Sequence, residues 1–238
     1  MERIDKVFSN LGLLSRSECK QAISKGQITV NNTVIKKSDF KVNPDLDQIM
    51  YKGELIATST YVYYMLNKPH GYITATEDKS AATVLDLIDD TRRDLAAVGR
   101  LDKDTTGLLL ITNDGATNHY LVSPKHHVTK RYEVVIDGVL TPGDVRLIEE
   151  GIDIGDDKPT LPAKLEIITD SKPQQVAITI TEGRYHQVKR MFSAVGCPVI
   201  KLHRSDFGPL HLDQNLEPGT YRPLSPEEID FITQKGRS

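Results

Sequence analysis

The run Leu108-Leu109-Leu110-Ile111 is continuous, short and partly branched, and it closes on Asn113-Asp114-Gly115. Such a run reads as a buried strand that ends in a turn. Just before it, Asp102 and Asp104 flank Lys103, and Arg100 stands two residues upstream. Acids and bases pressed against a buried strand are costly unless they are paired or used. Any fold for this chain must bury 108–111 while finding partners for the charges at 100–104.

Spacing alone leaves two readings of Asp102. The segment Asp102-x-Asp104-x-Thr106-Gly107 has the opening of a calcium-binding helix–loop–helix motif. That motif needs an acidic ligand at its twelfth position, where Asn113 stands, and a strand follows where it needs a helix, so the metal reading fails. Either Asp102 caps a turn and pairs with Arg100, or it is a carboxylate held by nearby cations that acts as nucleophile or base.

At 238 residues, with 38% hydrophobic and 26% charged positions, the chain suits a soluble globular protein of one large domain or a small and a medium one. A net charge of −3 gives no global basic signal, so a nucleic-acid surface has to be a local patch. Cys19 and Cys197 lack the spacing of a metal knuckle or redox motif and read as reduced structural thiols. The start, MERIDKVF, carries charges where a signal peptide needs an apolar core, and no long apolar span follows. The expectation is a cytoplasmic protein with no membrane contact.

The first sixty residues read as a small α+β head. Ile4, Val7, Phe8 and Leu11 share one helix face, and Gly12 ends that helix. Ser15-Arg16-Ser17-Glu18 has the capping-box pattern, Cys19, Ala22 and Ile23 form the apolar face that follows, and Gly26 stops it. Ile28 and Val30, then Asn31-Asn32, then Val34 predict a tight hairpin. Residues 1–43 hold eight Lys/Arg against four Asp/Glu, a local +4. Arg16 and Lys20 share a helix face, as a solvated helix or an RNA-binding one would have them.

Pro44 to Asp47 predicts a turn, and Ala57-Thr58-Ser59-Thr60 a short polar linker. The boundary falls near 59, giving parts 1–58 and 61–238. Tyr61 to Leu66 is aromatic and branched, hence a strand, with Asn67-Lys68-Pro69-His70-Gly71 as its turn. Thr83 to Ile88 is a short helix candidate. Lys130 to Ile136 alternates as a strand that holds Arg131 and Tyr132, and Tyr132 on spacing is an ordinary core aromatic. Gln175 to Thr181 is a further strand that Gly183 ends. A helix then carries Val188, Met191, Phe192 and Val195 on one face, with Lys189 and Arg190 off it. Residues 182–204 hold five Lys/Arg, including Arg184, against one acid. Pro226 to Ile232 reads as a closing helix.

Three spaced motifs resemble pseudouridine synthases of the RsuA type: Gly99-Arg100-Leu101-Asp102-x-Asp104-Thr105-Thr106-Gly107-Leu108, the Lys130-x-Tyr132 strand, and Gly183-Arg184-Tyr185-His186-Gln187-Val188-Lys189-Arg190. Leu202-His203-Arg204, Gly208-Pro209-Leu210 and 219–224 continue the pattern, and 15–42 resembles the small alpha-L RNA-binding domain. The resemblance implies an α+β pseudouridine synthase fold, a mixed, mostly antiparallel sheet with flanking helices, behind that head. It implies a catalytic role for Asp102, stacking of Tyr132 on the target base, pairing of Lys189 with Asp102, and Arg100 bracing the loop. Asp104 and Thr105 would hold the loop. Arg16, Ser17, Lys20 and Lys25 in the head, with Lys130, Arg131, Arg184 and Arg190, would bind RNA.

The reaction so implied turns a uridine of small-subunit (16S) ribosomal RNA, the uridine-516 type of site, into pseudouridine. It needs no cofactor and no metal, which fits a chain without a P-loop, a dinucleotide fingerprint or a metal motif. The expected partner is ribosomal RNA and the expected state a monomer. Two rivals remain: the same chemistry on large-subunit RNA, and a non-catalytic RNA-binding assembly factor that keeps the fold.

Overall fold

The structure, a computed structural model, describes residues 1–44, 46–56 and 61–233. The expected linker 57–60 lies outside the described residues, as does Asp45 of the expected turn. Close contacts divide the chain into two units. One comprises Met1–Val62 with Asp89–Leu95, and the other Tyr63–Ile88 with the chain from Ala96 on.

In the first unit the strands are β1 (Glu2–Arg3), β2 (Ile28–Val30), β3 (Thr33–Val34), β4 (Lys41–Val42), β5 (Ile49–Tyr51) and β6 (Glu54–Leu55). They form a four-stranded sheet in the order β3-β2-β5-β6 and a separate β1-β4 pair. Helix α1 spans Ile4–Asn10 and α2 Arg16–Ser24. The expected capping box is present: Ser15 accepts from the Glu18 amide, and Glu18 accepts from the Ser15 amide at 2.7 Å. Asn31 and Asn32 both take positive φ, 50° and 64°, which aligns the hairpin for the strand twist. Ile4, Phe8, Cys19, Ile28, Val42 and Ile49 are fully buried together. Gly12 does more than end α1. The segment Asp89–Leu95 packs here, so a Cβ on Gly12 would stand 2.2 Å from the Thr91 carbonyl.

In the second unit the strands are β7 (Tyr63–Lys68), β8 (Ala96–Ala97), β9 (Thr106–Thr112), β10 (Lys130–Ile136), β11 (Lys164–Ile167), β12 (Gln174–Ile180), β13 (Val199–Phe207), β14 (Leu210–His211) and β15 (Tyr221–Pro223). The main order is β11-β12-β10-β13-β9-β7-β15, with β14 on β13 and β8 on β9. The β13–β9 pairing is parallel and the other strand pairs named are antiparallel. This is the mixed, mostly antiparallel sheet of an α+β fold. Helices are α3 (Gly115–Val122), α4 (Pro142–Glu150), α5 (Gln187–Ala194) and α6 (Pro226–Thr233). Leu108 to Ile111 lie in β9 with no exposed surface, as the continuous apolar run requires.

Some elements differ from the sequence reading. β7 runs through Asn67 and Lys68 because both pair with β9, and the turn begins only at Pro69, with Gly71 at φ 93°. The 83–88 candidate is a single 3-10 turn, Val84–Leu87. Asn113-Asp114-Gly115 is a helix start: Asp114 caps α3 by accepting from the amides of Ala116 and Thr117, and the Tyr63 hydroxyl donates to it at 2.6 Å. Helix α4 has its own capping box, Thr141 with Asp144.

Candidate active site

The parallel junction of β9 and β13 organises the site. Gly107, at φ 102°, lies in register with Arg204, and a Cβ there would come within 2.3 Å of the Arg204 carbonyl. The loop 98–105 that leads into β9 is thereby held at the ends of both strands. Thr74 clasps its Leu101 through two hydrogen bonds, and the Gly71 amide donates to the Lys103 carbonyl. Lys68, fully buried, donates its ammonium to the carbonyls of Thr105 at 2.8 Å, Pro69 at 3.1 Å and Lys103 at 3.4 Å. Burial pushes its pKa down to about 8, against the pull of Asp104 and Asp102. Sequence reading missed Lys68, since a lysine ahead of Pro69 looks like turn punctuation.

Helix α5 supplies the opposite wall. Lys189 donates to Asp102 at 2.8 Å and to Asp104 at 2.6 Å. Burial opposes its charge, but the two carboxylates outweigh that and hold its pKa above the ordinary lysine value. The same bond to Lys189 holds the Asp104 carboxyl below its usual range. His186, in the left-handed conformation at φ 48°, sits before α5 with Nε2 3.5 Å from the other Asp102 oxygen. Tyr185, largely exposed, stacks on His186 at 3.9 Å.

Asp102, Arg100, Tyr132 and Lys130 line one cleft of about 450 Å³ with His186, Arg184 and Arg204. Tyr132 is nearly buried, pointing from β10 on the same sheet face as Lys130 and opposite face to Arg131. The cleft is large enough for a nucleotide. Among the described residues no group of three or more metal-ligating side chains comes together.

Several expected roles need revision. Arg100 does not pair with Asp102 and does not brace the loop. It lies exposed at the cleft, without a hydrogen bond or ion pair among the described residues, because Lys189 has taken the carboxylates. Arg131 points away from the cleft and pairs with Glu166 at 2.9 Å. Arg184 spends its guanidinium on Glu182, Asp156 and the carbonyls of Lys158 and Pro159. Arg190 spends its own on Asp156 and the carbonyls of Ile154 and Tyr185. Those two arginines fasten the 154–159 loop to the start of α5, leaving few donors for RNA. In the head, Arg16, Ser17 and Lys20 on α2 and Lys25 at its end are exposed.

Residues 62–194 match the RNA pseudouridylate synthase family model, and 2–47 match the S4 domain model. The chain belongs to the RNA pseudouridylate synthase family. It is 43% identical over 97% of its length to ribosomal small subunit pseudouridine synthase A of Salmonella typhimurium, covering 99% of that protein. The Escherichia coli K12 protein of the same name is 42% identical over the same shares. An uncharacterized RNA pseudouridine synthase of Bacillus subtilis, YtzG, is 41% identical over 98% of both chains. Among solved structures, one described as a pseudouridylate synthase superposes with a TM-score of 0.69 at 39% identity, over 98% of this chain and 100% of that one. As a member of this family the chain is an isomerase that carries an RNA-binding head on a synthase fold.

Proposed function

We propose that this synthase converts a uridine of small-subunit ribosomal RNA, of the uridine-516 type, to pseudouridine with Asp102 as its catalytic carboxylate. One observation carries the reading. A cation-paired carboxylate and a nearly buried tyrosine, from segments far apart in the chain, line a single nucleotide-sized cleft. The near full-length match to proteins named for the small subunit supports that substrate over the large-subunit one.

Lys189 holds the Asp102 carboxylate in place through a charge-assisted hydrogen bond. Asp102 then acts on the ribose, either by attack on the anomeric carbon or by removal of the neighbouring ribose proton. Both routes break the bond from the anomeric carbon to N1 of the base. Tyr132 offers its ring to the freed uracil, which turns and rejoins through carbon 5. The proton lost from carbon 5 is balanced by one gained at N1, so no redox partner is needed. A stacked uridine must first leave its helix, at a cost of a few kcal/mol. Arg100, open at the cleft, and the head residues Arg16, Ser17, Lys20 and Lys25 are suited to backbone phosphates. The head, 1–58, would thus bind RNA and 61–238 would carry the chemistry, the protein acting as a monomer.

The test is a map of pseudouridines in ribosomal RNA from cells with and without this protein. Loss of one small-subunit pseudouridine is expected. An unchanged small-subunit map overturns the substrate, and loss of a large-subunit site establishes the rival. An intact map together with tight RNA binding would favour the assembly-factor reading.

A further inference from the structure

Arg204 is buried to 2% exposure on the floor of the cleft. It is the β13 partner of Tyr132 on β10, so the two side chains rise side by side from one face of the sheet. Its Nε donates to the Leu108 carbonyl at 2.8 Å, and its guanidinium lies 4.8 Å from the centre of the Phe207 ring. Among the described residues its terminal nitrogens have no hydrogen-bond partner, and Nη2 is fully buried in that condition. A buried guanidinium with open donors is costly and calls for an explanation.

No carboxylate of the cleft answers it. Asp102 is taken by Lys189, and Glu182 by Arg184, Gln187 and the Leu161 amide. The second cation of the floor makes the excess larger. Lys130 Nζ lies over the same Phe207 ring at 5.8 Å. Burial first, and then the charge of Arg204, press its pKa down to about 8. The floor beside Tyr132 is therefore positive, desolvated and short of one anion.

The reaction proposed above makes such an anion at that place. When the anomeric carbon–N1 bond breaks, its electron pair stays on N1 and the uracil departs as an anion, with charge spread onto its carbonyl oxygens. This is so whether Asp102 forms the new bond to the anomeric carbon or removes the ribose proton. The charge is cancelled when carbon 5 attacks the anomeric carbon, its proton leaves, and N1 takes one up. We propose that Arg204 is a catalytic residue, its unpartnered guanidinium end donating a charge-assisted hydrogen bond to a carbonyl oxygen of the departing uracil anion. A preorganised donor aimed where charge develops is the strongest device a dry site can offer. A backbone phosphate is the poorer occupant, since its charge is present before reaction and Arg100 offers an exposed guanidinium at the same cleft.

The inference rests on the proposed uridine isomerisation, and a leaving-group comparison tests it. Arg204→Gln and the wild-type protein are compared on RNA carrying uridine and on RNA carrying 5-fluorouridine, whose base is the more stable anion. Loss of the starting nucleoside is followed at saturating RNA. The variant is expected to lose roughly 10²-fold in turnover on uridine, with RNA affinity within about twofold and a markedly smaller defect on 5-fluorouridine. Equal defects on both RNAs overturn the proposal. So does a loss confined to affinity with a shallower salt dependence, which would make Arg204 a phosphate ligand. If Arg204→Gln melts too low, Arg204→Lys carries the same comparison, keeping the charge and one donor for Leu108. Wild-type inactivity on every ribosomal RNA would instead sink the parent reading.

Discussion

The Lys189 ammonium lies 2.6 Å from Asp104 and 2.8 Å from Asp102, so one cation is shared by two carboxylates of the same loop. The family motif pairs Lys189 with Asp102 alone and makes Asp104 a loop-holding residue. In the structure Asp104 competes for the cation and fixes where it sits. The pair is only partly buried, so its value lies in aim more than in stability.

Removal of that cation leaves two carboxylates to repel each other. Lys189→Met is expected to let the Asp104 carboxyl titrate higher than in the wild type, because it loses the bond that holds its pKa down. Turnover at pH 7 should fall as well. A carboxyl NMR titration in which Asp104 of the variant titrates where the wild-type group does would refute the shared-cation account.

Asp102→Asn preserves shape and can still accept from Lys189. Turnover should drop by about 10³-fold or more while RNA affinity stays within about twofold, since affinity comes from phosphate contacts. Single-turnover pseudouridine formation and filter binding on one RNA separate the two. Full activity would remove Asp102 from the chemistry.

Lys68→Met deletes the donor to two carbonyls of the 98–105 loop, Lys103 and Thr105, and to that of Pro69. About 1–2 kcal/mol of stability should go at pH 7, with lower turnover from a looser loop. The pH dependence has a definite sign. Its folded pKa of about 8 lies below the ordinary 10.5, so the unfolded chain holds the proton more tightly between those values. Stability from this group therefore rises as pH climbs from about 8 to 10.5. Melting temperatures at pH 7 and pH 10 should show a wider gap between wild type and variant at pH 10.

Gly107→Ala puts a Cβ 2.3 Å from the Arg204 carbonyl at a positive φ. Strain and overlap together should cost about 3 kcal/mol or more. Calorimetry on the purified variant checks it, and an unchanged melting temperature would mean the β9–β13 junction is looser than described.

Neutralising Arg16 and Lys20 together should weaken RNA binding uniformly and reduce the log–log salt slope by about two. Turnover on saturating RNA should be unaltered. A loss of turnover without a change in slope would remove these residues from phosphate binding.

Much of the fold was legible because it obeys local rules. The Ser15–Glu18 box, the Asn31-Asn32 hairpin and the buried run 108–111 each need only neighbours in the chain. Helix α3 escaped because Asn113-Asp114-Gly115 serves equally as a turn, and only the Tyr63 hydroxyl reaching Asp114 from β7 shows the use made of it. In the site, the motifs that resemble the family point to Asp102, Tyr132 and Lys189, while spacing alone leaves Asp102 open and Tyr132 an ordinary core aromatic. They could not show that Arg184 and Arg190 are spent on the 154–159 loop, because donor occupancy depends on a loop some thirty residues away.

The sequence by itself determined the helices and hairpin of the head, the buried run 108–111, the strands at 130–136 and 175–181 and the helix after Gly183, and which chemical groups stand at 102, 132 and 189. Those follow from periodicity, capping and side-chain chemistry. Only the tertiary structure decided which groups meet. The parallel register that sets Arg204 beside Gly107 brings β13 against β9 across about a hundred residues. That register buries Arg204 next to Tyr132 with a donor left unpartnered, and the strand pairing of Lys68 with Gly107 buries a lysine under the 98–105 loop. Burial and partner choice are long-range properties, since they depend on what the rest of the chain packs around a group and not on its neighbours in sequence.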